Sequence, residues 1–200
     1  MSAPARPESL ALLERLVTAL KAKGLVSEEE IAARQASTDR ASPEIGARMV
    51  ARAWLDPAWR KSMVANGAAA AEQMGVSMAG APPLGILEDT PTLHHLVVCT
   101  LCSCYPRAVL GYPPHWYKSF EYRSRAVREP RAVLAEWGTT IAPGVQLRVI
   151  DSTADYRWMV LPLRPAGTEG WDEAQLAALV TRDVLVGVAL PRVPMAAAAE

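Results

Sequence analysis

The chain has 200 residues, 50% of them apolar and 21% charged, which suits one large globular domain or a smaller domain carrying an arm. Lysine plus arginine number 21, as do aspartate plus glutamate, so the formal net charge is zero. That balance excludes a basic nucleic-acid-binding face and a polybasic membrane patch, and on an apolar-rich chain it favours a subunit of a complex.

No apolar run approaches membrane-spanning length. An odd cysteine count and the lack of a secretory leader pattern argue against a disulfide framework and predict a cytoplasmic setting. Met1 to Pro7 reads as a disordered lead. Leu10, Leu13, Val17 and Leu20 then repeat at helical spacing, widened by Leu12 and Leu16, until Gly24 stops the helix. Ser27 with Glu30 forms a capping box for a helix over 28–34. Ser42-Pro43 and Asp56-Pro57 each set an N-cap before an N1 proline, predicting helices over 44–54 and 58–65, and 68–74 is an alanine-rich helix. Residues 1–79 are thus expected to form a helical arm that wraps a partner.

The pattern changes at Gly80-Ala81-Pro82-Pro83. Leu84 to Leu87 and Leu93 to Val98 read as strand, turn, strand around Asp89-Thr90-Pro91. His94 and His95 open the second strand, where neighbours point to opposite faces, so they are expected as separate surface or half-buried histidines rather than joint ligands. Val98-Cys99-Thr100-Leu101-Cys102-Ser103-Cys104-Tyr105-Pro106 follows and holds every cysteine of the chain. Thiolates are strong ligands for late transition metals and iron, which makes a metal claw the first reading. Cys99 and Cys102 alone would suit a redox dithiol, but that leaves Cys104 unused, and Pro106 prevents the usual following helix. Burial as small hydrophobes does not explain the clustering. A closed zinc site wants four side-chain ligands where the claw offers three sulfurs. The amides of Ser103 and Cys104, if deprotonated, would add two nitrogens and leave an octahedron one position short, a set suited to low-spin trivalent cobalt or iron.

Beyond the claw, Tyr112 to Trp116 is rich in proline and aromatics; His115 and Trp116 are candidates to line a substrate pocket, Trp116 more naturally as packing beneath the claw. A basic helix is predicted over 117–131, with Lys118, Arg123, Arg125, Arg128 and Arg131 facing solvent or a partner, and Pro130 starts a further helix that ends at Gly138. Val145 to Ile150 and Tyr156 to Leu163 are predicted to pair as an antiparallel hairpin through the Asp151–Asp155 turn. Asp172 caps a helix through Val180, and Val184 to Ala189 closes as a strand. The fold class is α+β: the arm, then a layered α-β-β-α domain over 80–194 with the claw in a loop after a strand, and a disordered tail over 195–200.

The claw segment resembles that of the nitrile hydratase α subunit. The likeness continues through Leu110-Gly111, Pro113-Pro114-His115-Trp116-Tyr117-Lys118, Tyr122-Arg123-Ser124-Arg125, Val127-Arg128-Glu129-Pro130-Arg131, Arg164 to Gly170 and Val180-Thr181-Arg182-Asp183, spanning about Trp54 to Leu190. The related thiocyanate hydrolase γ subunit shares the claw. The resemblance implies hydration of a small nitrile to its amide at a non-corrin centre with one Co(III) per chain, Fe(III) being the less favoured metal. It assigns Cys99, Cys102, Ser103 and Cys104 as metal ligands and Cys102, Ser103 and Cys104 as catalytic. Cys102 would be oxidised to a sulfinate and Cys104 to a sulfenate that attacks carbon or acts as a base. Thr100 stands where cobalt members usually carry threonine and iron members serine. The resemblance also implies a β subunit in an αβ or α2β2 assembly, whose arginines face the oxidised sulfurs, and a cobalt-insertion activator protein. Two positions depart from it. Arg107 replaces a usual tryptophan and resembles the thiocyanate hydrolase version, and residues 80–83 lack the glutamine and glutamate that nitrile hydratases often carry. Thiocyanate hydrolysis to carbonyl sulfide and ammonia is therefore the alternative activity, with Arg107 at the substrate, and a cobalt-binding module is the alternative without catalysis.

Overall fold

The computed structural model describes residues 7–194; the expected tail at 195–200 and most of the expected lead lie outside the described residues. Two units divide after Arg40. The first consists of α1 (Pro7–Ala22) and α2 (Glu28–Arg40). The predicted capping box is formed: Glu30 N–H donates to Ser27 Oγ at 3.0 Å, and Ser27 N–H donates to Glu30 Oε2 at 2.8 Å. Neither helix has a buried residue, and Leu10, Leu12, Leu13 and Leu16 are all exposed.

The second unit begins at Ala41 rather than at residue 80. The reason lies in α3 (Pro43–Leu55), which buries Ala47, Met49, Val50 and Ala53 in the same core as the strands, while α4 (Pro57–Ala65) buries Trp59 and Met63. Asp56 caps α4, accepting from the N–H groups of Ala58 and Trp59 at 2.9 and 3.0 Å, and Asn66 caps α5 (Gly67–Gln73). Only the helices before Arg40 are free of the core.

Four strands follow: β1 (Leu84–Glu88), β2 (Leu93–Val98), β3 (Gln146–Asp151) and β4 (Arg157–Leu161). The antiparallel hairpin expected of β3 and β4 is not present. β1 pairs with β4 and β2 with β3, both in parallel, so each short turn carries the chain from one two-stranded sheet to the other. Physically, β1 and β2 are buried almost throughout, which is the habit of strands covered on both faces in parallel sheets. Their unbroken apolar runs held that signal.

The remaining helices enclose these sheets. Between β2 and β3 lie α6 (Arg107–Leu110), α7 (His115–Lys118), α8 (Phe120–Arg128) and α9 (Pro130–Glu136). The single basic helix expected over 117–131 is interrupted because Ser119 leaves helical geometry to cap α8, accepting from Tyr122 N–H at 3.1 Å. After β4 come α10 (Glu173–Ala177), with the Asp172–Gln175 capping box, and α11 (Arg182–Val186). Val184 to Ala189 was expected to be a strand and is not. Thr181 caps Val184 N–H at 3.4 Å and Gly187, at φ +84°, ends the turn, so local capping overrides the β-branched content. No described helix is long and apolar enough to cross a membrane.

Candidate metal centre

In the β2–β3 register, Val98 lies beside Asp151, and Ser152 N–H closes the ladder on the Val98 carbonyl at 2.7 Å. The chain then leaves the sheet in a tight loop. Cys99 and Cys104 are buried, Cys102 is exposed, and all three are free thiols. Cys99 Sγ lies 3.6 Å from Cys102 Sγ, which lies 3.2 Å from Cys104 Sγ, and all three sulfurs fall within 4.8 Å of one another. Two sulfurs held about 2.3 Å from one ion at right angles would sit about 3.3 Å apart. The set has the spacing of a single-ion site.

Electrostatics points the same way. Burial, followed by the contacts with Cys102 and Cys99, pushes the Cys104 thiol up to about 12. Cys102 is shifted down by hydrogen bonds with Cys104 and Cys99 and by the backbone amides of Ser103 and Cys104, which face its sulfur. The loop thus concentrates negative charge on one sulfur, and holding several thiolates this close requires a cation. The two amides are those expected to complete the donor set.

Side chains from distant elements hold the loop. Asp151 accepts both polar hydrogens of Thr100, from N–H at 3.0 Å and from the hydroxyl at 2.5 Å. Arg123 Nη1 donates to the Thr100 carbonyl at 3.1 Å. Tyr117 donates its hydroxyl to the Cys104 carbonyl at 2.8 Å, and Tyr122 donates to the Val97 carbonyl at 2.7 Å. Arg157 exerts a charge effect that lowers the Cys104 pKa, against the stronger effects that raise it.

Full-length likeness decides the family. The model for the nitrile hydratase alpha chain matches residues 8–189. The chain belongs to the nitrile hydratase α-chain family. It is 47% identical over 188 residues to the low-molecular-weight cobalt-containing nitrile hydratase subunit alpha of Rhodococcus rhodochrous, covering 94% of this chain and 91% of that protein. It is 48% identical over 181 residues to the thiocyanate hydrolase subunit gamma of Thiobacillus thioparus, covering 85% and 74%. Among solved structures, a recombinant thiocyanate hydrolase comprising partially modified cobalt centres aligns with TM-score 0.85 at 43% identity, covering 94% of this chain and 92% of that one. A histidine double mutant of the Fe-type nitrile hydratase from Comamonas testosteroni Ni1 aligns with TM-score 0.84 at 39% identity, covering 98% of each chain.

Within this nitrile hydratase α-type chain, the structure brings the sulfurs of Cys99, Cys102 and Cys104 together, with the backbone amide of Ser103 facing Cys102. Trp116 packs edge-on against Tyr117, Tyr122 and Trp137, with ring centroids 5.8, 4.9 and 4.8 Å away, and so touches the two tyrosines that hydrogen-bond the Cys104 and Val97 carbonyls. His115 is exposed on α7, and Arg107 is exposed with its guanidinium 5.5 Å from the Tyr112 ring centroid. A surface cleft of about 650 Å³ between the α8–α9 junction and the start of β3 includes none of the three.

Sequence reasoning missed Asp151, Tyr117, Tyr122 and Arg157 as supports of the site and took Arg123 for a solvated cation. Only the parallel register, which sets Asp151 beside the end of β2, identifies the Thr100 brace; no local spacing signals it. His94 and His95 also differ from expectation. Both are buried, at 4% and 5% exposure, and both engage the carboxylate of Asp89.

Proposed function

We propose that the chain is the metal-bearing α subunit of a nitrile hydratase, adding water across a nitrile to give the amide. The observation that supports this most is the three-sulfur cluster of Cys99, Cys102 and Cys104, with the amides of Ser103 and Cys104 turned toward it. These residues would hold one Co(III) ion, in line with the cobalt named in two of the relatives. Bound there, the metal supplies Lewis acidity. The chain contributes the sulfurs: Cys102 as a sulfinate and Cys104 as a sulfenate, with an external oxidant such as dioxygen supplying their oxygens, and the Cys104 sulfenate oxygen would take a proton from water or attack the nitrile carbon. Ser103 spaces the two sulfurs. Arg107 and His115, both exposed and both following the claw in sequence, are the residues of this chain proposed to face substrate, with Trp116.

Activity is proposed to require a β subunit in an αβ or α2β2 assembly, which would supply the remaining pocket wall, and cobalt insertion would use an activator protein. One observation favours a second reading. The exposed guanidinium of Arg107 suits an anion, and a thiocyanate hydrolase is as similar as the nitrile hydratases, so thiocyanate is the competing substrate. The chain, produced together with its candidate partner subunits, should release amide from small nitriles. Carbonyl sulfide from thiocyanate without amide from any nitrile would overturn the main reading, and a tightly metal-loaded complex without either activity would support a cobalt-binding module.

A further inference from the structure

Four to five residues before the claw, three elements meet around one buried charge. Asp89 follows β1, His94 and His95 open β2, and Gly187 ends α11. The Asp89 side chain is 3% exposed. Its Oδ1 accepts from His95 N–H and faces His95 Nδ1, each at 2.9 Å, while its Oδ2 faces His94 Nδ1 at 2.8 Å. His94 Nε2 lies 2.8 Å from the Gly187 carbonyl oxygen.

A carbonyl only accepts, so His94 Nε2 must carry a hydrogen. The carboxylate on the other side also accepts, so the ring has an acceptor at both nitrogens. One alternative places the second proton on Asp89 instead. Imidazole is the stronger base by about 2.5 pK units, which puts the proton on His94. Burial alone disfavours the charged ring, but the bond to Asp89, its charge and the Gly187 carbonyl outweigh burial and raise the His94 pKa. His95 shares Asp89 through Oδ1, whereas His94 holds Oδ2; on β3 the register neighbour of His94 is Leu147, and Arg148, beside His95, is exposed.

We propose that His94 is held as a buried imidazolium that ties the claw-bearing strand β2 to the end of α11, and that it is a positioning residue for the claw. Loss of its proton leaves one N–H for two acceptors, so either Asp89 or the Gly187 carbonyl goes unmet in the interior. The approach of the two backbones leaves no slack to absorb this: a Cβ on Gly187 would sit 2.0 Å from the His95 carbonyl oxygen. Releasing the link therefore loosens the base of β2.

The test is nitrogen NMR of the full chain in its assembled, metal-loaded complex with histidine ¹⁵N-labelled in this subunit, which has only three histidines, one of them the exposed His115. One ring should keep the imidazolium signature as pH rises past the range in which a free imidazole becomes neutral. A neutral His94 at pH 7, with the proton on Asp89, would overturn the proposal. In Asp89→Asn the side-chain amide can donate to His94 Nδ1, so the fold should be kept with His94 neutral and bearing hydrogen at Nε2 alone. Retention of the imidazolium in that variant would also overturn it. Positioning has its own readout: protection factors at Leu96 and Val188 in the wild type should fall about tenfold as the His94 ring titrates. Titration with unchanged protection would refute the positioning role. None of these measurements depends on the reaction catalysed.

Discussion

Thr100 has no polar group to spare: its N–H and hydroxyl go to Asp151 and its carbonyl to Arg123. Asp151→Ala removes two of the three contacts and leaves the fold's core untouched, because Asp151 is exposed. Metal content per chain should fall by half or more, read by elemental analysis, with only a small change in thermal midpoint; full loading would show that the brace is dispensable. Tyr117→Phe keeps the buried ring but deletes the donor to the Cys104 carbonyl. The expected cost is about 1 kcal/mol, a drop of roughly 2–4 °C in Tm for a chain of this size. Cys104→Ala should abolish turnover, and a variant that still makes amide would remove the sulfenate from the mechanism. The clustering of the three thiols was legible from their spacing alone. Asp151 was not, since nothing in a local window distinguishes it from a turn aspartate.

Among the elements, β2 and α11 determine whether the claw has a firm base. Gly187→Ala combines a positive φ of +84° with a Cβ 2.0 Å from the His95 carbonyl oxygen. Destabilisation of roughly 2–4 kcal/mol is expected, measured by urea unfolding. The Asp89–His94 pair adds a pH dependence of defined sign. Burial opposes ionisation of Asp89, but the bonds to His94 and His95 outweigh it and hold the carboxyl below its ordinary value. That contribution is present above about pH 4 and is lost as pH falls through the lowered folded value. His94 is shifted the other way, so its contribution is complete below about pH 6.5 and is lost as pH rises through the raised folded value. Urea midpoints should therefore decline on both sides of that window, and Asp89→Asn should flatten both declines. Capping boxes and N1 prolines placed most helices correctly from sequence, because those signals act within four residues. Strand pairing was misread because a turn of a few residues looks the same whether it closes a hairpin or passes between sheets.

At the scale of the molecule, the two units differ in how they handle apolar surface. Residues 41–200 contain every buried side chain of the described core, whereas α1 and α2 bury none and expose Leu10, Leu12, Leu13 and Leu16. Deleting residues 1–40 should leave the thermal midpoint of the remaining chain within a few degrees, yet prevent co-purification with the β subunit. A truncated chain that still captures its partner would show that the arm is not the principal contact. The α+β class and the helical character of the first 79 residues were readable from periodicity. That the second compact unit begins at Ala41 was not, because the helices of 43–73 carry the same capping signals as those before them and differ only in what they bury.

The parallel pairing also sets the order in which the site is made. Asp151 stands 51 residues after the threonine it holds, and β2 has no partner strand until β3 has been synthesised. Contacts so distant along the chain form late, after the intervening loop has been closed. A nascent chain that has extended only as far as Pro106 already owns all three thiols but has nothing to seat them. Cobalt or iron met at that stage finds flexible sulfurs rather than a shaped cradle, so well-formed metal loading belongs to the finished chain.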